Sequence, residues 1–333
     1  MLSRRQLLGQ GVGLLPLALL GSCGRSAGPR LLACKGDLPK AWLATLPSPW
    51  TLQELERSQQ IVAAARDDQA AHRDDAGLLQ LSDGWASSIP TAELQPLGAP
   101  ALLARLAAAA GPVSRLYGPP QSPALAFPWA FSPWVLALRH RPDLLDQARQ
   151  SWDVLLDPSL RGRLVLPSSP RISIELMQAD ASRLRRLRQA ALAYDEANGL
   201  NLLLLGKASA AVVPQQRLIP LLRQDPRLQV VLPATGAPLS WQVLIRPAQA
   251  TAPLPLAWLA QVLEPPLLTR LLAAGWVPPL PRAELQRALR ALPGPQASLL
   301  LPPEAVLQRC WSQPPLPAAQ RLAWQTLWDA AAP

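Results

Sequence analysis

Histidine is almost missing from this chain of 333 residues, which has only His72 and His140. Cysteine is scarce too, and Cys23, Cys34 and Cys310 form neither a C-x-x-C pair nor a Cys/His cluster. No structural or catalytic zinc centre is expected from such a set. A Ser-His-Asp triad would have to rest on His72 or His140, which lie in the charged strings HRDD and RHRPD and read as solvated. The G-x-S-x-G elbow, H-E-x-x-H, the Walker A loop and G-x-G-x-x-G are also absent. No enzyme activity and no cofactor are therefore expected.

Lysine occurs three times against 29 arginines, and phenylalanine and tyrosine twice each against 12 tryptophans. We read these biases as genomic and not functional. The formal charge of +10 could suit nucleic acid or an anionic surface. Yet the arginines are scattered, and the densest run, Arg183 to Arg188, has no aromatic or glycine-rich platform. It reads as a solvated helix face, so no nucleic-acid partner is expected. The length allows two domains, and a hydrophobic fraction of 49% is enough for real cores. Proline, at 39 residues, is more than double its average share of about 5%.

Residues 1–23 read as an address and not as part of the fold. Ser3-Arg4-Arg5-Gln6-Leu7-Leu8 is a twin-arginine pattern, and Leu14 to Leu20 is its apolar region. Leu20-Gly21-Ser22-Cys23 resembles a bacterial lipobox, which would make Cys23 the lipid-bearing mature N-terminus. The apolar run is too short to span a bilayer as a stable helix, although a short uncleaved anchor is the other reading. Either way the rest lies outside the cytoplasmic membrane. There a disulfide between Cys34 and Cys310 is permitted, as are two separate thiols.

The stretch Ser151 to Arg171, SWDVLLDPSLRGRLVLPSSPR, organises the rest. Trp152, Leu155 and Leu156 fall at helical spacing. Asp157-Pro158 stops that helix, because proline drives its predecessor out of the α region. Arg161-Gly162-Arg163 turns, Leu164 to Leu166 reads as a strand, and Ser168-Ser169-Pro170 reads as a helix start. The loop after the strand sits where α/β sheets bind ligands.

This succession resembles the spermidine/putrescine-type branch of the bacterial extracellular solute-binding proteins, the receptors that feed ABC transporters. The resemblance implies an α/β, two-lobed periplasmic binding protein fold (type II-like) with a hinge and an interlobe cleft. Residues 29–136 and 245–333 would form the first lobe and 137–244 the second. It also implies a small-molecule solute, ABC permease subunits and a membrane reached through the lipid anchor as partners. A periplasmic location follows. An exported enzyme or a structural lipoprotein on the same fold is the alternative.

Along the chain, Arg30 to Cys34 reads as the first strand, with Lys35-Gly36-Asp37 as its cleft loop. Helices are expected over Leu38–Leu46, Leu52–Arg66, Leu102–Ala110 and Ser182–Asn198. Strands are expected at Gly77–Leu81, Ala210–Val213, Leu228–Leu232 and Leu239–Ile245, the last returning to the first lobe. Ser82-Asp83-Gly84-Trp85 resembles the second cleft loop, though Trp85 could equally pack on the next helix. Pro123 to Arg139 resembles the family's crossing segment PYxWGxxxxxYN, in which Trp129 is either a cleft wall or core. Pro214-Gln215-Gln216 is a further strand-end loop, and Pro253 to Pro333 is helical and proline-punctuated.

The ligand-binding set expected from the resemblance and these loops is Lys35, Asp37, Ser82, Asp83, Trp85, Trp129, Ser168, Ser169, Arg171, Gln215 and Trp241. The chain departs from the polyamine pattern. Where the family places an acidic pair it has Ser169 and Ile172, and around the return-strand tryptophan it has Leu239, Ser240 and Trp241. Pro214 replaces an expected tryptophan. Burying a polyamine without carboxylates would cost several kcal/mol per charge, so the family's polyamine gives way to a zwitterion or anion. Its carboxylate is expected on Ser168, Ser169 and Arg171, and any amine on Asp83. Alternatively, Arg171 pairs with an acid of its own lobe.

Overall fold

A computed structural model of the chain describes residues 28–66, 76–195 and 198–333. The twin-arginine motif, Cys23 and His72 lie outside the described residues. Nine strands join into one sheet, in the order β2-β1-β3-β9-β4-β7-β5-β6, with β8 beside β4. The strands are β1 (Arg30–Cys34), β2 (Thr51–Leu55), β3 (Ala76–Ser82), β4 (Ala126–Arg139), β5 (Leu164–Leu166), β6 (Ala191–Tyr194), β7 (Ala210–Pro214), β8 (Leu228–Val231) and β9 (Leu239–Ile245).

The 14-residue β4 carries the architecture. Its first half pairs antiparallel with β9, from Ala126 opposite Ile245 to Pro133 opposite Leu239. From Trp134 on it leaves β9 and pairs with β7 and β8 instead. One strand thus belongs to both lobes. The first lobe is β2-β1-β3-β9 with the start of β4, and the second is the end of β4 with β7, β5, β6 and β8. Within the first lobe, an isolated bridge joins Phe131 to Val277.

The parallel strands are buried on both faces, so they read as continuous apolar runs. Leu78, Leu79 and Leu81 of β3 and Ala210 to Val213 of β7 are almost wholly inaccessible. In the first lobe the core holds a tryptophan stack. Trp42 lies on Trp258 at 4.3 Å, and each indole N–H donates to the other residue's carbonyl at 3.1 Å. Trp42 also meets Trp129 at 5.2 Å, and Trp129 meets Trp276 at 4.9 Å. Pairs of this kind add about 0.5–1.5 kcal/mol beyond area burial.

Two helical expectations give way to strands. The helix expected from Leu52 begins only at Ser58, as α1 (Ser58–Arg66). Thr51 to Leu55 is an edge strand in parallel register with β1, Leu52 opposite Leu31. Its leucines, glutamine and glutamate favour helix intrinsically, and tertiary pairing overrides that preference. After α2 (Pro170–Leu176), the long helix expected over Ser182–Asn198 ends at Ala190 as α3 (Ala181–Ala190). Ala191 to Tyr194 then pairs with β5. The alanine-rich stretch Leu102–Ala110 breaks into Pro100–Leu103 and the single turn Ala108–Ala110.

The C-terminal helix α4 (Ala318–Ala330) packs on α2 and α3 of the second lobe, although residues 245–333 were expected with the first. The basic run of α3 explains why. Leu184 and Leu187 are buried, while Arg188 stacks over Trp328 at 4.1 Å and donates to its carbonyl. Arg185 reaches the Ala330 carbonyl at 3.4 Å. Cations at these last carbonyls complement the helix dipole. The run expected to be solvated therefore docks a helix. No helix among the described residues is long and apolar enough to cross a membrane.

Candidate functional site

The C-terminal ends of β1, β3 and β7 converge on a cavity of about 830 Å³ between the lobes. From the first lobe it is lined by Lys35, Asp37, Ser58, Ser82, Trp85 and Trp276, with Ser240 and Gln242 of β9 in its floor. From the second it is lined by Trp134, Asn201, Pro214, Gln216 and Arg217. The lining mixes indole faces with neutral hydrogen-bonding groups, the usual make-up of a small-molecule site.

Asp37 is the one carboxylate among the described lining residues, against Lys35 and Arg217. Burial pushes its pKa up, and the charge of Arg217 across the cleft pulls it back in part. A single carboxylate among the described lining residues is fewer than the charges of a polyamine would need. Trp85 is 43% exposed and presents an open indole face to the cavity.

Four of the expected residues, Lys35, Asp37, Ser82 and Trp85, come together here. Asp83 does not line the cavity. It is 5% exposed and accepts hydrogen bonds from the Tyr117 hydroxyl and, at 3.4 Å, from the Trp241 backbone N–H. Desolvation raises its pKa to about 6, even though these donors favour the charged form. Asp83 is thus a brace between β3 and the hinge strand β9, and its oxygens already have partners. Trp129 is wholly buried in the tryptophan stack, one ring behind the lining Trp276. Trp241 is buried as well, beside Phe131 at 5.2 Å, and its indole N–H donates to Ser312 at 2.9 Å. Gln215 is 1% exposed beneath the loop whose next two residues line the cavity.

Ser168 and Ser169 are exposed at the end of β5 and are not among the lining residues. Of the two roles open to Arg171, the intralobe ion pair is the one present, with Glu175 at 2.7 Å. Glu175 also accepts from the Trp311 indole at 2.8 Å and from Gln313 at 2.9 Å. This network ties the C-terminal segment to α2, so the Arg171 charge is spent on structure.

Trp134, Asn201, Arg217 and Trp276 were not foreseen. Arg217 follows the loop Pro214-Gln215-Gln216 by one residue, and that spacing was the available signal. Trp276 follows Gly275, whose φ of +92° and 2.9 Å approach to the Gln216 backbone leave no room for a side chain. Cys34 and Cys310 are both free thiols, one near Ser58 at 3.5 Å and the other near the Val306 carbonyl at 3.5 Å.

No protein-family model matches the chain. No curated protein matches it either. Solved structures do. The spermidine/putrescine ABC transporter substrate-binding protein PotD of Streptococcus pneumoniae, determined with calcium and HEPES, is 11% identical, with a TM-score of 0.71 over 91% of this chain and 98% of its own. The Tp0655 (TpPotD) lipoprotein of Treponema pallidum is 13% identical, with a TM-score of 0.67 over 91% and 98%. The Atu4243 GABA receptor is 12% identical, with a TM-score of 0.62 over 92% and 98%. Nearly the whole of each chain is matched, and β4 and β9 cross between two sheet halves as a hinge requires. This chain has the two-lobed fold of periplasmic solute-binding proteins.

Proposed function

We propose that the protein is the solute-binding receptor of an ABC importer and closes its two lobes on a small zwitterionic or anionic solute. The observation that carries this reading is the interlobe cavity, lined from both lobes by tryptophans and neutral polar groups, with Lys35 and Asp37 on its first-lobe wall. A receptor needs complementary groups on both lobes and a hinge, and it needs no reactive group. Fold neighbours include spermidine/putrescine-binding proteins and a GABA receptor, so the fold accommodates both cationic and zwitterionic solutes. One cation and one carboxylate on the first-lobe wall, Lys35 and Asp37, suit the second kind.

The body of β2-β1-β3-β9 with the start of β4 would move against the end of β4 with β7, β5, β6, β8 and the C-terminal helix. ABC permease subunits are the proposed partners. Twin-arginine export and a lipid on Cys23 would place the receptor at the periplasmic face of a membrane. A Cys23→Ala variant is expected to fractionate as a soluble protein, and retention at the membrane would remove the anchor from this reading.

The test is a thermal-shift and calorimetric screen of the purified protein against amino acids, carboxylates and polyamines, followed by small-angle scattering with the best binder. A ligand at a hundredfold excess over Kd stabilises the folded state by about 2.7 kcal/mol. Binding of amino acids or carboxylates with a fall in radius of gyration is expected. Binding of polyamines alone would overturn the ligand class, and turnover of the bound solute would overturn the receptor.

A further inference from the structure

Consecutive residues of a strand face opposite ways, and β9 lines two cavities by that rule. Ser240 and Gln242 stand in the floor of the interlobe cleft, whereas Leu239 and Trp241 face the reverse side of the hinge. There they wall a second cavity of about 430 Å³, together with Phe131 of β4. Its other sides come from the first lobe, through Ala107 to Ala109, Leu280 and Leu285, and from the segment Leu301 to Ser312. Phe131, Leu301, Leu307 and Cys310 are half-buried, and Ala108 and Ala109 are exposed, so this lining keeps apolar surface open to a small molecule.

The polar groups of the wall already have partners. The Trp241 indole N–H donates to Ser312 at 2.9 Å, Ser312 is bonded in turn to Tyr117, and the Cys310 thiol donates to the Val306 carbonyl at 3.5 Å. Arg282 and Glu304, the two charged lining residues, pair with each other at 3.3 Å. The charges of the wall thus cancel, and the face left for a ligand is mostly apolar side chain. A dry apolar cavity of about 150 Å³ already accepts one benzene ring, so this volume fits a fused aromatic ring or a branched alkyl body.

The cavity also straddles the parts that move. Leu280 and Leu285 belong to the first-lobe core, but the segment Leu301 to Ser312 ends on the second lobe. At that end the Trp311 indole donates to Glu175 of α2 at 2.8 Å, and the Trp311 carbonyl accepts from the Leu239 N–H at 2.8 Å. A change in lobe angle shifts these walls against one another. A molecule that fills the cavity as shaped here binds this arrangement better than the others, and it moves the lobe equilibrium by that difference.

We propose that this second cavity takes one uncharged, largely apolar molecule and that its occupancy shifts the angle between the lobes. This goes beyond the receptor reading and does not rest on it, since hinge and cavity are present whatever the cleft binds.

The experiment titrates indole and 1-naphthol, with the charged analogues indole-3-acetate and tryptamine, into the whole protein by calorimetry, and records small-angle scattering at saturation. One neutral probe is expected to bind at a single site about tenfold or more tightly than either charged analogue, with a change in radius of gyration. Ala109→Phe fills the cavity from the first lobe, and Leu307→Trp fills it from the crossing segment. Each is expected to weaken the probe about tenfold or more, because a close-packed wall leaves it no room. Ala109 is exposed, so its variant is expected to keep the parent's urea midpoint. Trp85→Ala alters the interlobe cleft alone and is expected to leave the probe's affinity unchanged. No binding by either neutral probe overturns the proposal. So does binding that Trp85→Ala abolishes and both cavity variants keep, and so does binding with an unchanged radius of gyration. None of these results touches the receptor reading, whose own test is binding of amino acids or carboxylates in the cleft.

Discussion

The two walls of the cleft are built differently. The first-lobe wall stands on loops that directly follow parallel strands: Lys35 and Asp37 come after β1, and Ser82 and Trp85 begin at the end of β3. In the second lobe the corresponding loop after β5, with Ser168, Ser169 and Arg171, stays out of the lining. The end of β7 and the helix Gly199–Leu204 supply that wall instead. Two arginines make the contrast concrete. Arg171 is locked to Glu175, whereas Arg217 is exposed on the cavity rim and acts electrostatically on Asp37 opposite. A cation in a strand-end loop is a candidate only until its neighbours in space are known.

The largest expected effect tests the structural side of this contrast. Glu175 is 10% exposed and accepts from Arg171, Trp311 and Gln313. Glu175→Ala would leave a guanidinium and two N–H donors without their acceptor. We expect a loss of about 3–4 kcal/mol in urea unfolding, since breaking a buried pair from one side strands the other charge. Solute affinity should be unchanged at temperatures where the variant is folded. A selective loss of affinity would return α2 to the binding wall.

Asp83 marks a second difference, within the first lobe itself. Trp85 faces the cavity, and two residues earlier Asp83 is sealed beneath it. Burial raises the folded pKa of Asp83 to about 6, above the ordinary carboxylate value. The folded state then binds the proton more tightly than the unfolded chain does. Its contribution to stability is fully present below about pH 4 and is lost as the pH rises through about 6. The span is worth about 2–3 kcal/mol at 1.36 kcal/mol per pKa unit. Asp83→Asn keeps an acceptor for Tyr117 and the Trp241 N–H but cannot ionise. Its urea midpoint should therefore lose that part of the pH dependence between pH 4 and 7. An unchanged slope would mean that Asp83 is ionised and solvated, and open to ligand after all.

These cases show what was legible in the order of residues and what was not. β1 and β5 stand where their apolar runs place them, because a buried strand leaves an uninterrupted pattern, and β9 shows the alternation of a strand with one face on the cavity. Edge strands carry no such mark. Thr51–Leu55 and Ala191–Tyr194 are half exposed and rich in helix formers, so their pairing is a tertiary fact. In the first-lobe wall, strand end and cavity coincide, and local pattern suffices to name the residues. The second-lobe wall depends on which strand lies next to β4. That neighbour is β7, and neither periodicity nor turn chemistry around Ser168 reveals it. Trp276 is similarly hidden, because it reaches the cleft only through the close passage of Gly275 over Gln216.

The smallest effect is also the most direct comparison. Arg217→Ala removes a lining cation and is expected to weaken an anionic or zwitterionic solute about tenfold, equivalent to about 1.4 kcal/mol. The rim is open to solvent, so screening keeps the contribution modest, and the difference should shrink further as salt is raised. It should also leave Asp37 harder to ionise, since the charge that offsets its burial is gone. Arg171→Ala is expected to leave affinity where it was and to cost stability only. Calorimetry on the two variants at low and high salt separates these outcomes. If Arg171 moved affinity and Arg217 did not, the loop after β5 would close over the solute, and the cavity as drawn would be its vestibule. If both moved it, the two walls would be alike in construction, and the contrast between the two arginines would fail.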